Sequence, residues 1–228
     1  MVQTSKIVLT AILSLAMVGA VAATWLDGPA PKPDGCQQYT PVDSLLVAHA
    51  GGGLPNQTYA NSLEALNLAA WHGFRLIELD FSKGADDGLQ IGHDAQRMST
   101  LTLEQLFEWL ERHPKIQIVT DFKSDNLEGL SLLARLAGPN KARFIPQIYT
   151  PDQFKPVAKM GFSAPILTVY RLGDEGWQRE ANALPLRAVT IPVERKYLAS
   201  GIRHFVFLHT VNEPMEGVGL YTDCLIPT

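Results

Sequence analysis

Glu78 and Asp80 stand two residues apart near the end of one apolar run, Arg75 to Phe81. Asp121 and Lys123 repeat that spacing at the end of another, Ile116 to Phe122. Side chains at i and i+2 of a strand leave the same face, so each pair points one way. Gln147 and Tyr149 repeat the pattern after Phe144, and His209 follows the run Arg203 to Leu208. Three carboxylates brought together repel one another. A hard divalent cation with oxygen ligands, Mg²⁺ or Ca²⁺, removes the conflict. The plainer reading of Glu78 and Asp80 is a surface salt-bridge pair. The second pair, Asp121 and Lys123, weighs against it.

The histidines add proton chemistry. His49 follows the run Leu45 to Ala48 and precedes Gly51-Gly52-Gly53. His93-Asp94 follows the turn pair Asp87-Gly88 and an apolar step at Leu89 and Ile91. That pattern places His93 at the end of a short extended excursion after the second strand. Imidazole titrates near neutrality. One histidine can therefore take a proton from a nucleophile while the other protonates a leaving group. Of the six histidines, His72, His113 and His204 read as ordinary helix-end or surface residues. The glycine triplet either lets backbone approach a phosphate or makes a flexible turn. No G-x-S-x-G elbow, G-x-x-x-x-G-K-[ST] loop or H-E-x-x-H helix occurs.

Such residues need elements to position them. From Val42 onward short apolar runs alternate with amphipathic stretches. Strands are expected at Leu45 to Ala48, Arg75 to Phe81, Ile116 to Phe122, Phe144 to Tyr149, Pro165 to Tyr170, Arg187 to Ile191, Arg203 to Leu208 and Gly219 to Thr222. Helices are expected at Ser62 to His72, Thr102 to His113 and Asn126 to Ala137, with a fourth opened by Pro151. Eight strands separated by helical segments suggest a compact α/β architecture, a closed parallel (β/α)₈ TIM barrel. An open doubly wound sheet is the alternative. Residues 42–228 are few for a barrel, so the later helices must be short and none follows the last strand. Asp174 to Ala183 is a candidate lid. In a barrel, every polar group named above falls at the carboxyl end of its strand, where barrel chemistry is placed.

The 228 residues are 46% hydrophobic and 18% charged, as in globular proteins. A formal net charge of −4 and the lack of any Lys/Arg run argue against a nucleic-acid binder. The two cysteines form no Cys-x-x-Cys, which excludes a thiolate zinc cluster. Ile7 to Leu26 is an uncharged, mostly apolar run preceded by Lys6 and containing Ala20-Val21-Ala22. Residues 1–26 therefore read as a signal peptide with an A-x-A site, or as an uncut anchor in the inner membrane. A buried N-terminal helix is the plain alternative. Either export reading places the body outside the cytoplasm, in the periplasm or secreted. There Cys36 and Cys224 could form a disulfide; otherwise they are two free thiols. Residues 27–41 contain four prolines and read as an extended linker.

The stretches VAHAGGG, YANSLEAL, GFRLIELDFS and DDGLQIGHD resemble the N-terminal signature of glycerophosphodiester phosphodiesterases, in the superfamily of phospholipase C-like phosphodiesterases. VTDFKSDN, RFIPQIY, HTVNEP and GVGLYTD are similar to the later strand motifs, so the resemblance runs from Leu45 to Asp223. It implies that His49 and His93 are the catalytic pair. It assigns the divalent metal to Glu78, Asp80 and Asp121, and contact with the substrate phosphate to Lys123. Asn61, Gln147, Tyr149, Tyr170 and His209, with Tyr59, are then candidate pocket residues. Two departures stand out. The family form has Arg at the position of Ala50, and Glu at the position of Ala60. An Asp at position 121 also resembles the sphingomyelinase D-like phospholipases, which share the barrel and both histidines.

The expected protein is thus an exported, metal-dependent phosphodiesterase of lipid metabolism. Its expected substrate is a glycerophosphodiester, a lysophospholipid or an envelope phosphodiester. The rivals are a lyase that stops at a cyclic phosphate, and a non-catalytic barrel acting as a binding or scaffold module.

Overall fold

A computed structural model describes residues 46–54, 57–84 and 88–224, all within the compact unit Pro31–Thr228. The expected signal or anchor segment, the proline-rich linker, Leu45, Cys36 and Asp87 lie outside the described residues.

Strand β1 (Leu46–Ala48) is followed by α1 (Leu63–Trp71), β2 (Leu76–Lys83) and β3 (Leu89–Ile91). Next come α2 (Leu103–Arg112), β4 (Gln117–Phe122), α3 (Asn126–Leu136), β5 (Phe144–Ile148) and α4 (Phe154–Lys159). The chain continues through β6 (Ile166–Thr168), α5 (Trp177–Ala183), β7 (Ala188–Pro192), β8 (Val206–His209) and β9 (Gly219–Thr222). Eight strands pair in parallel in the order β1, β2, β4, β5, β6, β7, β8, β9, and β9 pairs back onto β1. Closure through Val47↔Tyr221 and Val47↔Leu76 excludes the open doubly wound sheet. The extra strand β3 runs antiparallel to β2, with Phe81 opposite Ile91. This pairing carries β2 two residues past the expected end at Phe81.

Local chemistry explains the helix boundaries. Ser62 caps α1 by accepting from Ala65 N at 3.2 Å. Thr102 and Gln105 form a reciprocal capping box at α2, a motif worth about 1 kcal/mol. Asp125 caps α3 by accepting from Glu128 N. The absence of a side chain at Gly129 lets α3 press against Phe122; a Cβ there would collide with the ring. Pro151 opens a 3₁₀ turn, Pro151–Gln153, and α4 begins only after it. The expected shortening of the later helices is more pronounced than the sequence suggests. Val193–Gly201 between β7 and β8 is 3₁₀, and residues 210–218 between β8 and β9 hold no helix. The Asp174 to Ala183 segment contains α5, whose Trp177 and Ala181 are buried against the core.

The barrel has two buried sides. Outward residues such as Ile77, Leu79, Ile118, Leu167, Val189 and Leu208 pack under Leu66, Leu106, Trp109 and Leu133 of the helices. Inward, Val47, Leu76, Val119, Ile145, Ile166, Ala188, Phe207 and Tyr221 form one apolar layer. Two residues further along each strand the inward face turns polar: His49, Glu78, Asp121, Gln147, Thr168, Thr190, His209 and Asp223. The period-2 geometry of strands delivers these groups to the same end of the barrel.

Candidate active site

The turn after β1 builds the first part of the site. His49 is 4% exposed, and Gly51 and Gly52 take φ of 88° and 97°. Ala50 itself sits at φ 49°, a left-handed conformation that costs a non-glycine residue roughly 1 kcal/mol or more. In that conformation the Ala50 N–H donates to Glu78 Oε2 at 2.7 Å. Gly53 N donates to the Asp223 carbonyl at 3.0 Å. The glycine triplet therefore joins the first strand to the last.

Glu78, Asp80 and Asp121 converge, with one oxygen from each within 4.8 Å of the others. Glu78 and Asp80 are 1% and 0% exposed. Burial, then the neighbouring Asp80 and Asp121, pushes the Glu78 carboxyl well above its ordinary range. Glu78 Oε1 is buried with no hydrogen-bond partner. An oxygen in that position is stabilised only by a proton or a cation. All three donors are hard carboxylate oxygens, a set that fits Mg²⁺ or Ca²⁺. The residues present thus fit a divalent ion.

Lys123 Nζ lies 2.7 Å from Asp80 Oδ1 and 2.7 Å from Asp121 Oδ2. The Asp80 contact is an ion pair without hydrogen-bond alignment, since Asp80 Oδ1 has no aligned donor. Burial works against the Lys123 charge, but Asp121, Asp80 and Glu78 outweigh it and hold the ammonium above its usual range. Its side chain keeps 25% exposure, so the ammonium reaches the mouth.

Both histidines are tied to carboxylates through Nδ1. His49 Nδ1 is 2.8 Å from Asp223 Oδ1, and His93 Nδ1 is 2.9 Å from Asp94 Oδ2. Arg97 also grips Asp94, its Nε donating at 2.8 Å. Arg97 and then His93 hold the Asp94 carboxyl below its usual range. Tyr59 stands between the two imidazoles, its ring 4.9 Å from that of His49 and 4.7 Å from that of His93, edge-on to both. His209 meets the other side of His49 at 4.6 Å. Burial first, then His49 and Lys123, pushes His209 well below its ordinary pKa, so its ring is neutral.

The remaining expected pocket residues divide into supports and walls. Asn61 is fully buried and brackets Asp80: its Nδ2 donates to Oδ2 at 2.8 Å, and its Oδ1 accepts from Asp80 N at 3.0 Å. Tyr149 is 3% exposed, and its hydroxyl donates to Asp121 Oδ1. Gln147 is 2% exposed and bonded to Thr168, behind the mouth. Tyr170 is 37% exposed and touches the His209 ring at 5.1 Å, so these two form wall. Asp223 was not among the expected site residues. It follows Thr222 of β9 at the same strand-end position as the other polar groups, and that placement was its available signal.

No protein-family model matches the chain, and no curated protein sequence does. Solved structures do match. A glycerophosphodiester phosphodiesterase from Parabacteroides distasonis is 18% identical, over 79% of this chain and 92% of that one, with a TM-score of 0.60. A phosphodiesterase from Oleispira antarctica, in complex with its product sn-glycerol-3-phosphate, is 15% identical over 82% and 93%, with a TM-score of 0.60. The chain has the fold of these phosphodiesterases. A third, the glycerophosphodiester phosphodiesterase from Thermotoga maritima, is 17% identical over 79% of this chain and 94% of its own, at a TM-score of 0.59. Among the described residues no helix is long and apolar enough to cross a membrane.

Proposed function

We propose that the chain is an exported, metal-dependent phosphodiesterase acting on a glycerophosphodiester or a related phospholipid or envelope phosphodiester. One arrangement carries this reading. The buried Glu78–Asp80–Asp121 cluster lies in the barrel mouth with two carboxylate-paired histidines. The fold shared with known phosphodiesterases supports it.

Glu78, Asp80 and Asp121 would hold the divalent ion, which supplies charge neutralisation at phosphoryl oxygens when bound. Lys123 offers its ammonium as a point charge to the same phosphate. Asp223 engages Nδ1 of His49 and Asp94 engages Nδ1 of His93, which leaves each Nε2 for the substrate. One Nε2 takes the proton of the attacking hydroxyl, from water or from a neighbouring substrate alcohol. The other donates a proton to the departing alcohol oxygen. Asn61 and Tyr149 hold Asp80 and Asp121 in place.

The test is hydrolysis of bis-(p-nitrophenyl) phosphate by the full chain with EDTA, Mg²⁺ or Ca²⁺. Activity that EDTA abolishes and His49→Ala lacks is the expected result. Hydrolysis that survives both sinks the reading. Export also favours a Cys36–Cys224 disulfide, with Cys224 buried one residue beyond Asp223. A mobility shift on reduction in a denaturing gel checks it, and unchanged mobility argues against it.

A further inference from the structure

Two arginines at the mouth lie face-on over tyrosines of the site. The Arg97 guanidinium carbon is 4.7 Å from the Tyr59 ring centroid, and that of Arg171 is 4.6 Å from the Tyr149 centroid. Their charges are not equally available. Arg97 is engaged by Asp94. Arg171 is exposed and makes no ion pair with any described residue. The other cations nearby face carboxylates: Lys123 meets Asp80 and Asp121, Lys83 meets Glu128, and Arg195 meets Asp174.

Position adds to charge. Arg171 lies three residues beyond β6, at the catalytic end of the barrel. Its neighbour Tyr170 touches His209. The ring beneath its guanidinium is fixed by the Tyr149–Asp121 hydrogen bond, so Arg171 stands one ring's length from the acidic cluster. Stacking on an aromatic face leaves the fork of N–H donors free and reduces the freedom lost on binding an anion. The centre itself has little positive charge to spare. Three ionised carboxylates and Lys123 sum to a formal −2, which a divalent ion only cancels. The scissile phosphate takes what attraction remains.

Resting on the phosphodiesterase reading above, we propose that Arg171 is a specificity-determining residue. It binds a second anionic group, a carboxylate or a phosphate, carried by the alcohol portion of the phosphodiester.

The test uses the full chain with Mg²⁺ and three diesters that share one glycerol half. Their other alcohols are glycerol (neutral), glycerate (a carboxylate) and glycerol phosphate (a second phosphate). The wild type is expected to favour at least one anionic diester over the neutral one by about tenfold in kcat/KM, the size of one charge-assisted hydrogen bond. The favoured anion identifies the group. In Arg171→Gln that ratio is expected to fall to near one, and Arg171→Lys to keep part of it. A wild type without the preference overturns the proposal. So does Arg171→Gln lowering all three rates together, because that is the signature of packing lost at Tyr149. If the wild type cleaves neither these three nor bis-(p-nitrophenyl) phosphate, the phosphodiesterase reading fails by itself. Calorimetric binding of the same diesters then decides on Arg171: a loss confined to the anionic ligands supports it, and equal binding to both proteins overturns it.

Discussion

His49 and His93 are held in opposite ways. His49 sits where the first and last strands pair, its side chain 5% exposed, and its partner Asp223 is 174 residues away. His93 sits on the excursion beyond β3, its side chain 27% exposed, and its partner is the next residue. One imidazole is oriented by closure of the whole barrel, the other by a local turn clamped by Arg97. The His49 geometry therefore persists as long as the barrel does, whereas the His93 turn can open without global unfolding.

The comparison collapses if either histidine is dispensable. His49→Ala and His93→Ala are each expected to lower kcat by about 10²- to 10⁴-fold, measured by steady-state hydrolysis with circular dichroism to confirm folding. Their partners separate the two sides. Asp223→Asn is expected to cost about 10- to 100-fold and Asp94→Asn less than about fivefold, because the Asp94 side chain, adjacent in sequence and 31% exposed, is a weaker partner than that of Asp223 at 13%. Equal losses would show that burial does not distinguish the two dyads.

Metal binding sharpens the contrast from the side of the cluster. The Glu78 carboxyl is raised above its unfolded value. The folded, metal-free chain therefore holds a proton that the unfolded chain has released. Metal-free stability then falls as pH rises from the ordinary carboxylate pKa towards the raised one. Mg²⁺ affinity rises over the same window, because the ion must displace that proton. Thermal melts with and without Mg²⁺ at several pH values check both slopes. A smaller effect is expected from Glu78→Gln without metal. A neutral amide is buried there without taking up a proton. A gain on the order of 1 kcal/mol would raise Tm by about 2–4 °C, and the melt would no longer respond to Mg²⁺.

Much of this was readable in the residues because barrels write their chemistry at strand ends. The i, i+2 pairs at Glu78/Asp80 and Asp121/Lys123 each announced one inward face, and the structure brings them together. The turn signals before Leu89 marked the excursion that carries His93. Closure is what local pattern cannot express. Nothing near Asp223 in the sequence mentions His49, and only the β1–β9 pairing makes them neighbours. Asn61 and Tyr149 were legible as candidate pocket residues but not as supports of the carboxylates, since that depends on which carboxylate oxygen they meet. The missing helix between β8 and β9 was also hidden, because a short polar connection looks the same whether or not it coils.

The bond from Ala50 to Glu78 has a genetic consequence. Its donor is a main-chain amide, so an alanine scan would pass over it. Of the twenty residue types only proline lacks that N–H. A side-chain change at position 50 would therefore leave the donor itself in place, although Ala50 is fully buried and a larger side chain would have to find room. What selection must guard there is a backbone angle rather than a letter, and a glycine would hold that angle with less strain.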